Sequence, residues 1–504
     1  MTPMMKRLAS RPWRIFLIGW IVYSVHFATN VVREHYPAFT IAEHGTFRVD
    51  EYQGFHSDIF VHRDGHSVIG NQVLVSALAA IPLFVFDPVL DALERHSLRQ
   101  LEARGVSNAD YRTDKPMRVE FFRKVKERGL DLRFGAATAI TTIFFMAPVT
   151  AWFLAYFYGL LRTRGLTAPQ ATGLAFLLGL GTPLFFRTTG LNHNMFVMYF
   201  SFLSFALLWP RTTGDRVPLG RRLAAGLFGG LVVATDYIGV VMLPVLYFYL
   251  VLPRIRTAGT VTALRESLAM VAGSLPAIAF LLYSQWAMYG NPFMPGQYWM
   301  PDQNIYTTEG LRGFTWPDAE LLLQNLFHPG FGMYVWGPVL LLALVPASRY
   351  PSQTLVLPHR ERWFVIAMYA AILLFCSVNQ YARLQWNSGF RYLVPLVPLL
   401  VLALADHWIR LPRGIRTGVM ALAVLHSWVL TVFREPVPRS WQLFMTEGPQ
   451  LPWFRVLSMT ASPDSAYLGH WVVPTVLLAG TAAVALAIWH IGARAEQRQL
   501  AGVK

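Results

Sequence analysis

The chain has 504 residues, 54% of them hydrophobic, and a formal net charge of +15. Its mean hydropathy of +0.39 and its many uninterrupted apolar runs exclude a set of soluble domains and predict a protein that crosses the membrane many times. The Lys and Arg residues lie in short clusters between the apolar runs, as in cytoplasmic connectors, so the charge does not indicate nucleic acid as a partner. The single cysteine, Cys376, excludes a disulfide framework and a thiolate metal site.

The first apolar run, residues 13–32, is predicted to be a retained transmembrane helix with a cytoplasmic N-terminus. The basic flank MTPMMKRLASRPWR precedes it, as in a signal peptide, but the run is long and lacks a small-residue cleavage site. Its length is sufficient to cross a hydrocarbon core of about 30 Å. The chain would therefore be a multi-pass protein of the inner (plasma) membrane, with residues 33–72 delivered to the outer side.

Residues 33–72 form the predicted first extracytoplasmic loop, which we expect to be the working centre of the protein. The loop holds six carboxylates and five histidines between two apolar runs. Carboxylates at a membrane surface are suited to deprotonating a hydroxyl or orienting a cation. Glu34, Asp50 and Glu51 are the candidate catalytic residues, with Glu34 and Asp50 as the leading pair. The alternative for most of the loop carboxylates is a simple solvated charge.

The second half of this loop contains metal-ligand residue types at alternating positions. Asp58 is a candidate for substrate binding. On a strand, Asp64 would lie between His62 and His66 on one face, which is compatible with a divalent cation as the one candidate cofactor. The other interpretation is that Asp-Gly-His forms a plain turn between two short extended pieces. Both interpretations stay open at this point.

The rest of the chain alternates apolar spans with short connectors. Residues 91–133 contain eleven basic and eight acidic side chains and no apolar run, which predicts one or two helices at the membrane surface. The apolar run 223–252 is too long for one span and is interrupted by Asp236, so a pair of short helices is predicted to turn there. We predict a single polytopic all-α integral membrane domain over residues 1–504. It would have roughly 11 to 13 transmembrane helices and short surface helices in the first extracytoplasmic loop.

The count of spans leaves one conflict of topology. Counting from a cytoplasmic N-terminus puts residues 91–133 inside, whereas counting back from a cytoplasmic tail puts RTRG at 162–165 inside, and one helix cannot join them. Three alternatives remove the conflict. Either the run 134–161 turns back at Pro148, or 223–252 is one helix, or 73–90 does not cross.

Several later polar residues lie at predicted outer ends of helices and are candidates for substrate binding. They are Arg187 with His193, Arg383, and Arg391 with Tyr392. Arg391 is expected to open a helix, where the guanidinium and the helix N-terminus both favour an anion such as a lipid phosphate. The alternative for Arg391 is an arginine that extends to the lipid surface.

Residues 291–331 form the predicted second extracytoplasmic loop. It has one Lys or Arg, Arg312, and many aromatic side chains. The stretch YGNPFMPGQYW predicts a rigid, non-helical segment that leads to a helix. Its aromatic side chains are suited to stacking on a sugar or contacting a lipid chain, or they belong to the aromatic belt of the membrane interface.

Sequence pieces along most of the chain occur in a familiar order. They are HYPAFTIAEHGTFRVDEY, DGHSVIGNQVLVSALAAIPL, GLGTPLFFRTTGLNHNMF, YGNPFMPG, LFHPGFGMYVWGPVLLLAL and WNSGFRYLVPLVPLL. This order resembles the polytopic glycosyltransferases of the GT-C class, in particular bacterial relatives of protein O-mannosyltransferases and of the aminoarabinose transferase for lipid A. The chain departs from many of these relatives at Arg33-Glu34, where they have Asp-Glu, and at Asn71-Gln72, where they have Pro-Gly.

The resemblance implies a polyprenyl-phosphate sugar donor and an acceptor hydroxyl or amine on a glycan, lipid or protein at the outer face. It also implies an inverting transfer with Glu34 or Asp50 as the base, while Arg391, joined by Arg187 or Arg383, would stabilise the phosphate leaving group. Two alternatives are a lipid-linked sugar flippase or secondary transporter, and a polysaccharide polymerase or ligase. The concentration of charge in one outer loop and the lack of repeated halves favour the transferase over the transporter. A polymerase or ligase would usually concentrate its arginines and a histidine in a large late outer loop, and the late loop 434–467 has arginines but no histidine.

Overall fold

A computed structural model describes residues 7–104, 116–210, 216–301, 308–460 and 471–502. In these ranges the chain is predominantly helical, as predicted. Its two named strands, Ile59–Val61 and Ser67–Ile69, form one antiparallel hairpin, which we call the hairpin. The all-α class predicted from the sequence is therefore the class of the described chain.

The chain divides into two compact units, and each is described by itself. The first contains residues 1–44, 79–191 and 422–504, and the second contains 45–78 and 192–421. The α-helices within the first are Arg11–Val25, His35–His44, Pro116–Glu127, Asp131–Thr141, Ala147–Thr163, Ala168–Leu180, Leu184–Thr188, Val437–Glu447, Pro452–Thr460 and Val472–Gly502. Those within the second are His193–Leu208, Leu219–Thr235, Gly239–Ala258, Thr260–Tyr289, Gly296–Trp299, Ala319–Phe327, Met333–Trp336, His359–Val378 and Val397–Trp408. Leu74–Arg104 and Arg413–Phe433 have residues in both units.

Seven helices of the described chain are long and apolar enough to cross a membrane. They are Leu74–Ala103, Asp131–Thr163, Gly239–Ala258, Thr260–Tyr289, His359–Val378, Arg413–Phe433 and Val472–Gln499. Three shorter apolar helices accompany them, Ala168–Leu180, His193–Leu208 and Val394–Trp408. These helices indicate a multi-pass membrane protein, whereas the finer count of 11 to 13 crossings stays a prediction.

The predicted break at Asp236 is confirmed. Leu219–Thr235 ends there and Gly239–Ala258 begins three residues later. Asp236 has an extended backbone, with φ −157° and ψ 144°, and its Oδ1 accepts the N–H of Ile238 at 3.1 Å. A carboxylate that bonds a backbone N–H two residues on is a common way to hold such a turn. The apolar run 223–252 is thus two helices, which removes one of the three topology alternatives.

A second topology alternative is wrong, because the run 134–161 does not turn back. Asp131–Thr163 is one continuous span with a single wide turn at Thr142–Met146. Pro148 follows this wide turn and lies in the first turn of the segment Ala147–Thr163. A proline is tolerated there because the wide turn has already disturbed the regular hydrogen-bond ladder.

Three other segments differ from the sequence prediction. The first helix ends at Val25 instead of extending through residue 32, and beyond it the Ala28 N–H donates to the Thr189 carbonyl at 2.7 Å. Residues 91–104 prolong the helix Leu74–Arg104, and residues 105–115 lie outside the described chain. The sequence also predicts a span at the apolar run 333–346, but this run is a short helix followed by a 3₁₀ segment, because Gly337 and Pro338 interrupt the α-helix.

Within the second unit, the helices Leu219–Thr235 and Thr260–Tyr289 pack at backbone distance. A Cβ atom added to Gly226, Gly230 or Gly273 would lie 1.9, 2.7 or 2.0 Å from a backbone oxygen of the facing helix. Gly226 and Gly230 are four residues apart, so they lie on the same helix face. Small residues at this spacing let membrane helices approach closely.

This packing predicts that Gly226→Ala is destabilising. The added methyl group would have to push the two helices apart, and such overpacking typically costs about 1 to 3 kcal/mol of unfolding free energy. The measurement is thermal unfolding of the purified protein in detergent. Gly220→Ala in the same helix is the control, because nothing lies within 4 Å of its added Cβ. Equal unfolding midpoints for the two variants would contradict the close packing at Gly226.

Candidate functional site

The hairpin of the second unit carries three of the predicted loop residues, His62, Asp64 and His66, in its turn. Its register pairs Val61 with Ser67, and Gly65 in the connecting turn has φ of 84°, a left-handed conformation that favours glycine. Asp64 Oδ1 accepts the N–H of His66 at 3.2 Å within this turn. Asp-Gly-His is therefore a turn between two short extended pieces, which was one of the two interpretations of this run.

Asp50 is held beside the second strand of the hairpin by two hydrogen bonds. One oxygen accepts the Ser67 N–H, and the other accepts from His66 Nδ1 at 3.0 Å. Its side chain is nevertheless 50% exposed. Partial burial alone would raise the pKa of Asp50, but the hydrogen bonds from Ser67 and His66 outweigh it and hold the pKa below its ordinary value. Asp50 is thus an ionised, fixed carboxylate that solvent or a substrate can reach.

The metal hypothesis gains no support from the positions of His62, Asp64 and His66. His62 Nδ1 lies 3.4 Å from Asp64 Oδ1, but His66 Nδ1 is engaged by Asp50 instead. In the part of the chain that the structure describes, no group of three ligand atoms within 4.8 Å of one another includes any of these three side chains. A divalent cation here stays a hypothesis.

Asp58 and Glu51 flank the same region. The Asp58 N–H donates to His56 Nδ1 at 3.0 Å, and the Asp58 carbonyl accepts the Gly70 N–H at 2.9 Å. Glu51 is exposed in the short 3₁₀ turn Asp50–Tyr52. The backbone of Asp58 thus shapes the start of the hairpin, while Glu51 presents its carboxylate at the surface.

The hairpin is fixed to the end of the helix Thr260–Tyr289. The Tyr289 hydroxyl donates to the carbonyl of Ile69, and Gly296 approaches Gly70 so closely that an added Cβ would lie 2.8 Å from the Gly70 carbonyl. The candidate residues of the hairpin therefore have a rigid support in the second loop of the chain, which a larger residue at Gly296 would disturb.

A largely buried hydrogen bond joins two residues that the sequence singled out separately. His193 is the first residue of the helix His193–Leu208, and its Nε2 lies 2.9 Å from Asp236 Oδ2. The side chains of His193 and Asp236 are only 8% and 17% exposed. Asp236 lies at the break between two helices, so this contact ties the break to a third helix, His193–Leu208.

Arg391 and Tyr392 are neighbours in the irregular segment just before the 3₁₀ turn Val394–Leu396. Their backbone N–H groups donate to the same Oε1 of Gln385, at 3.2 and 3.1 Å. The guanidinium of Arg391 lies 4.7 Å from the Tyr392 ring centre and contacts no carboxylate of the described residues. The Cys376 thiol lies within electrostatic range of both Asp236 and Arg391, so these charges belong to one region.

The expectation that Arg391 opens a helix is wrong. A 3₁₀ turn, Val394–Leu396, follows it, and the α-helix begins only at Val397. Pro395 and Pro398 have no N–H to donate, so they are tolerated at the start of these segments and not later. Any anion at Arg391 would therefore be bound by the guanidinium without the N-terminus of a regular helix.

Arg383 is engaged by the protein itself. Its guanidinium bonds the Asp318 carboxylate, Gln380 Oε1 at 2.9 Å and Gln324 Oε1 at 3.2 Å. Burial alone would raise the pKa of Asp318, but the N–H groups of Leu321 and Glu320 and the charge of Arg383 together lower it. Asp318 also caps the helix Ala319–Phe327. These contacts give Arg383 a structural role in positioning that helix.

Glu34 and Arg187 belong to the first unit. Glu34 is buried, and its Oε1 lies 3.6 Å from Arg33 Nε. Burial lowers the pKa of the neighbouring His35 to about 4, although the charge of Glu34 opposes this shift. Arg187 is buried in the helix Leu184–Thr188, with its guanidinium 5.9 Å from the Phe186 ring centre. Neither residue has the exposure of Asp50.

Two partners were not predicted from the sequence, His66 for Asp50 and Gln385 for Arg391. His66 was noted only as a metal ligand, because the sequence does not give the register that brings it to Asp50. Gln385 lies in a short polar connector with no pattern of its own. Spatial proximity, and not residue spacing, identifies both.

Comparisons with protein-family models, curated proteins and solved structures found no match for this chain. The resemblance to GT-C transferases therefore rests on the order of sequence pieces alone.

The two arginines of the second unit should respond differently to substitution. Arg383→Met removes a hydrogen-bonded charge from Asp318, and we expect a loss of about 1 to 3 kcal/mol in unfolding free energy. Arg391→Met replaces the side chain by an apolar one of similar length and breaks no ion pair with a described carboxylate. We therefore expect a loss of unfolding free energy below about 1 kcal/mol. Thermal unfolding in detergent compares the two. A larger loss for Arg391→Met would show that Arg391 is the structural residue.

Proposed function

We propose that this protein is a membrane glycosyltransferase of the GT-C class. It would take a sugar from a polyprenyl-phosphate donor and transfer it to an acceptor hydroxyl or amine at the extracytoplasmic face of the inner (plasma) membrane, with its N-terminus in the cytoplasm. Asp50 carries the proposal. It is a reachable carboxylate that two hydrogen bonds hold in one orientation and that stays ionised at neutral pH.

In the proposed reaction, the acceptor oxygen attacks the anomeric carbon of the donor sugar as the bond from that carbon to the phosphate oxygen breaks. The acceptor proton passes to Asp50, and the electron pair of the broken bond goes to the polyprenyl phosphate. A single displacement of this kind inverts the anomeric configuration. The carboxylate becomes useful late in the displacement, when the attacking oxygen has become positively charged and its proton acidic.

Arg391 is the favoured residue for the phosphate leaving group. Its guanidinium is half-buried and contacts no carboxylate of the described residues, so its charge is available to an anion. Arg383 is a weaker candidate, because Asp318 and two glutamine side chains already engage it. The long apolar helices supply the lipid-facing surface that the tail of a polyprenyl donor requires.

A second candidate function is a secondary transporter or flippase for lipid-linked sugars. The specific observation in its favour is the buried pair of His193 and Asp236 at a break between two helices. Ionisable groups at interrupted helices are typical of transport pathways in membrane proteins. We rank it second because a buried pair of this kind also has a simple structural use, namely to hold the break.

The transferase proposal predicts that Asp50→Asn abolishes sugar transfer in purified membranes, measured with radiolabelled polyprenyl-phosphate sugars, while donor binding is retained. A general base typically contributes about 100- to 10,000-fold to the rate. The control is Asp64→Asn, a carboxylate of the hairpin turn whose bond to the His66 N–H an asparagine oxygen can still accept. We expect that control to transfer sugar at close to the wild-type rate.

Three other outcomes of this assay identify different functions or residues. Loss of transfer in Glu34→Gln, with Asp50→Asn active, would assign the base to the first unit. Loss in both Asp50→Asn and Asp64→Asn would point to damage of the hairpin. If the wild type transfers no label but carries the lipid-linked sugar across vesicles, and His193→Gln stops this movement, the protein is a transporter.

The pH dependence of transfer tests the identity of the base separately. The pKa of Asp50 lies below its ordinary value of 3.8, so the active, ionised form is present at higher pH and is lost only as pH falls through that low pKa. We therefore expect kcat/KM to be flat from about pH 5 to 8. An acid limb between about pH 6 and 7 would indicate an imidazole base in place of the carboxylate.

A further inference from the structure

Three arginines gather around one glutamate where two helices of the second unit begin. Arg254 donates two hydrogen bonds to the Glu266 carboxylate, at 2.9 and 3.1 Å, and Arg216 Nε lies 2.8 Å from Glu266 Oε1. Arg222 donates to the backbone carbonyl of Glu266. We call these four residues the arginine cluster.

The arginine cluster has more positive charge than its own carboxylate can neutralise. Among the described residues, Glu266 is the carboxylate that pairs with Arg216 and Arg254, and none pairs with Arg222. Arg222 is only 5% exposed, and its Nε is buried without a hydrogen-bond partner in the described chain. A charge that is withdrawn from water is costly unless an opposite charge lies beside it. A bound anion would therefore stabilise this cluster.

The two helix starts beside the cluster add to its positive potential. Leu219–Thr235 begins after Pro218 and Thr260–Tyr289 begins after Gly259, and neither start has a side-chain cap or an acidic residue in its first turn. The N-terminal end of a helix has a partial positive charge, which favours an anion and disfavours a guanidinium group. The fold thus places arginines where a bound anion would relieve their repulsion.

Exposed apolar stripes lead away from the cluster along both helices. They consist of Leu219, Leu223 and Leu227 on the first helix, and of Leu264, Leu268 and Val271 on the second. Spacings of three and four residues keep each stripe on one helix face. The acyl chains of a lipid are suited to lie along such stripes while its headgroup reaches the arginines, as in basic pockets between membrane helices that bind anionic lipids.

From this arrangement we propose that the arginine cluster binds an anionic phospholipid. The lipid phosphate accepts hydrogen bonds from N–H groups of Arg216 and Arg222 that Glu266 does not engage, and an acyl chain lies along the stripe that begins at Leu219. The headgroup has no ammonium group, because a second positive charge would be repelled by the excess charge of the cluster.

The lipid site is separate from the proposed reaction. The hairpin is attached at Tyr289, the last residue of its helix, whereas Glu266 lies near the first. At 1.5 Å per residue these two positions are roughly 35 Å apart along the helix, which is about the thickness of the hydrocarbon core. The phospholipid therefore belongs to the leaflet opposite the hairpin, and its binding requires no sugar transfer.

Native mass spectrometry of the purified full-length protein in detergent tests the site. The probes are dioleoylphosphatidylglycerol, the zwitterionic dioleoylphosphatidylcholine, and glycerol 3-phosphate, which supplies the anion without acyl chains. We expect phosphatidylglycerol to bind about tenfold more tightly than either of the others. Equal binding of the two lipids overturns the proposal. Displacement of the lipid by an equal concentration of glycerol 3-phosphate also overturns it, because the cluster would then be a site for a soluble phosphate.

Two variants with opposite expected effects locate the binding. Arg216 is 64% exposed, so Arg216→Gln should fold, and we expect it to weaken phosphatidylglycerol binding about fivefold. Glu266→Gln should strengthen binding by a similar factor, because it removes the negative charge of the cluster while its amide oxygen still accepts from Arg254. Damage to the fold would not produce this gain.

The matched control is Arg413→Gln, which removes an exposed arginine at the start of a different helix, Arg413–Phe433. We expect this control to bind phosphatidylglycerol as the wild type does. An equal loss in Arg413→Gln and Arg216→Gln would show a general effect of surface charge and overturn the site. A Glu266→Gln variant that does not bind more tightly than the wild type overturns it as well.

Discussion

The second unit depends on polar side chains that satisfy backbone groups where its helices break. In an apolar environment an unpaired N–H is costly, so a helix can end or bend only where another acceptor is present. The Asp236 carboxylate accepts the N–H of Ile238. The Gln385 side chain accepts the N–H groups of Arg391 and Tyr392, shortly before Val394. Asp406, fully buried, accepts the Val356 and Leu357 N–H groups and also pairs with Arg362. These carboxylate and amide side chains therefore stabilise the fold, although in the sequence they look like catalytic or binding residues.

This constraint separates the candidate residues into two groups. Arg383 and the pair of His193 and Asp236 are satisfied by neighbours within the protein and hold the frame together. Asp50 and Arg391 keep charges that their neighbours neutralise only in part. Asp50 is half exposed, and Arg391 has no carboxylate beside it among the described residues. A charge of the second kind is available to a substrate. The transferase proposal rests on this difference and not on the number of charged residues.

The sequence predicted the class of the fold and some of its local features, because these follow from periodicity and short-range turn chemistry. Helical spans, the break at Asp236 and the turn at Gly65 all belong to this group. It failed where helix ends depend on contacts that periodicity does not reveal, as beyond Val25, where Ala28 bonds the distant Thr189, and at Arg391, whose N–H bonds the Gln385 side chain. The partner of Asp50 could not be predicted for the same reason, since only the strand register brings His66 to it. Short-range signals locate elements, while long-range contacts define a site.

The glycine contact between Leu219–Thr235 and Thr260–Tyr289 limits how the second unit can move. Helices that touch through backbone atoms have no layer of side chains between them that could rearrange. A shift of one helix along the other by a single residue would bring side-chain-bearing positions against carbonyl oxygens, so sliding and rotation are both blocked. The two helices therefore form one rigid pair, and the hairpin is attached to the end of this pair through Tyr289. If the protein is the proposed transferase, a motion that admits the lipid tail of the donor would hinge at the edges of this rigid pair, and Asp50 would move together with it.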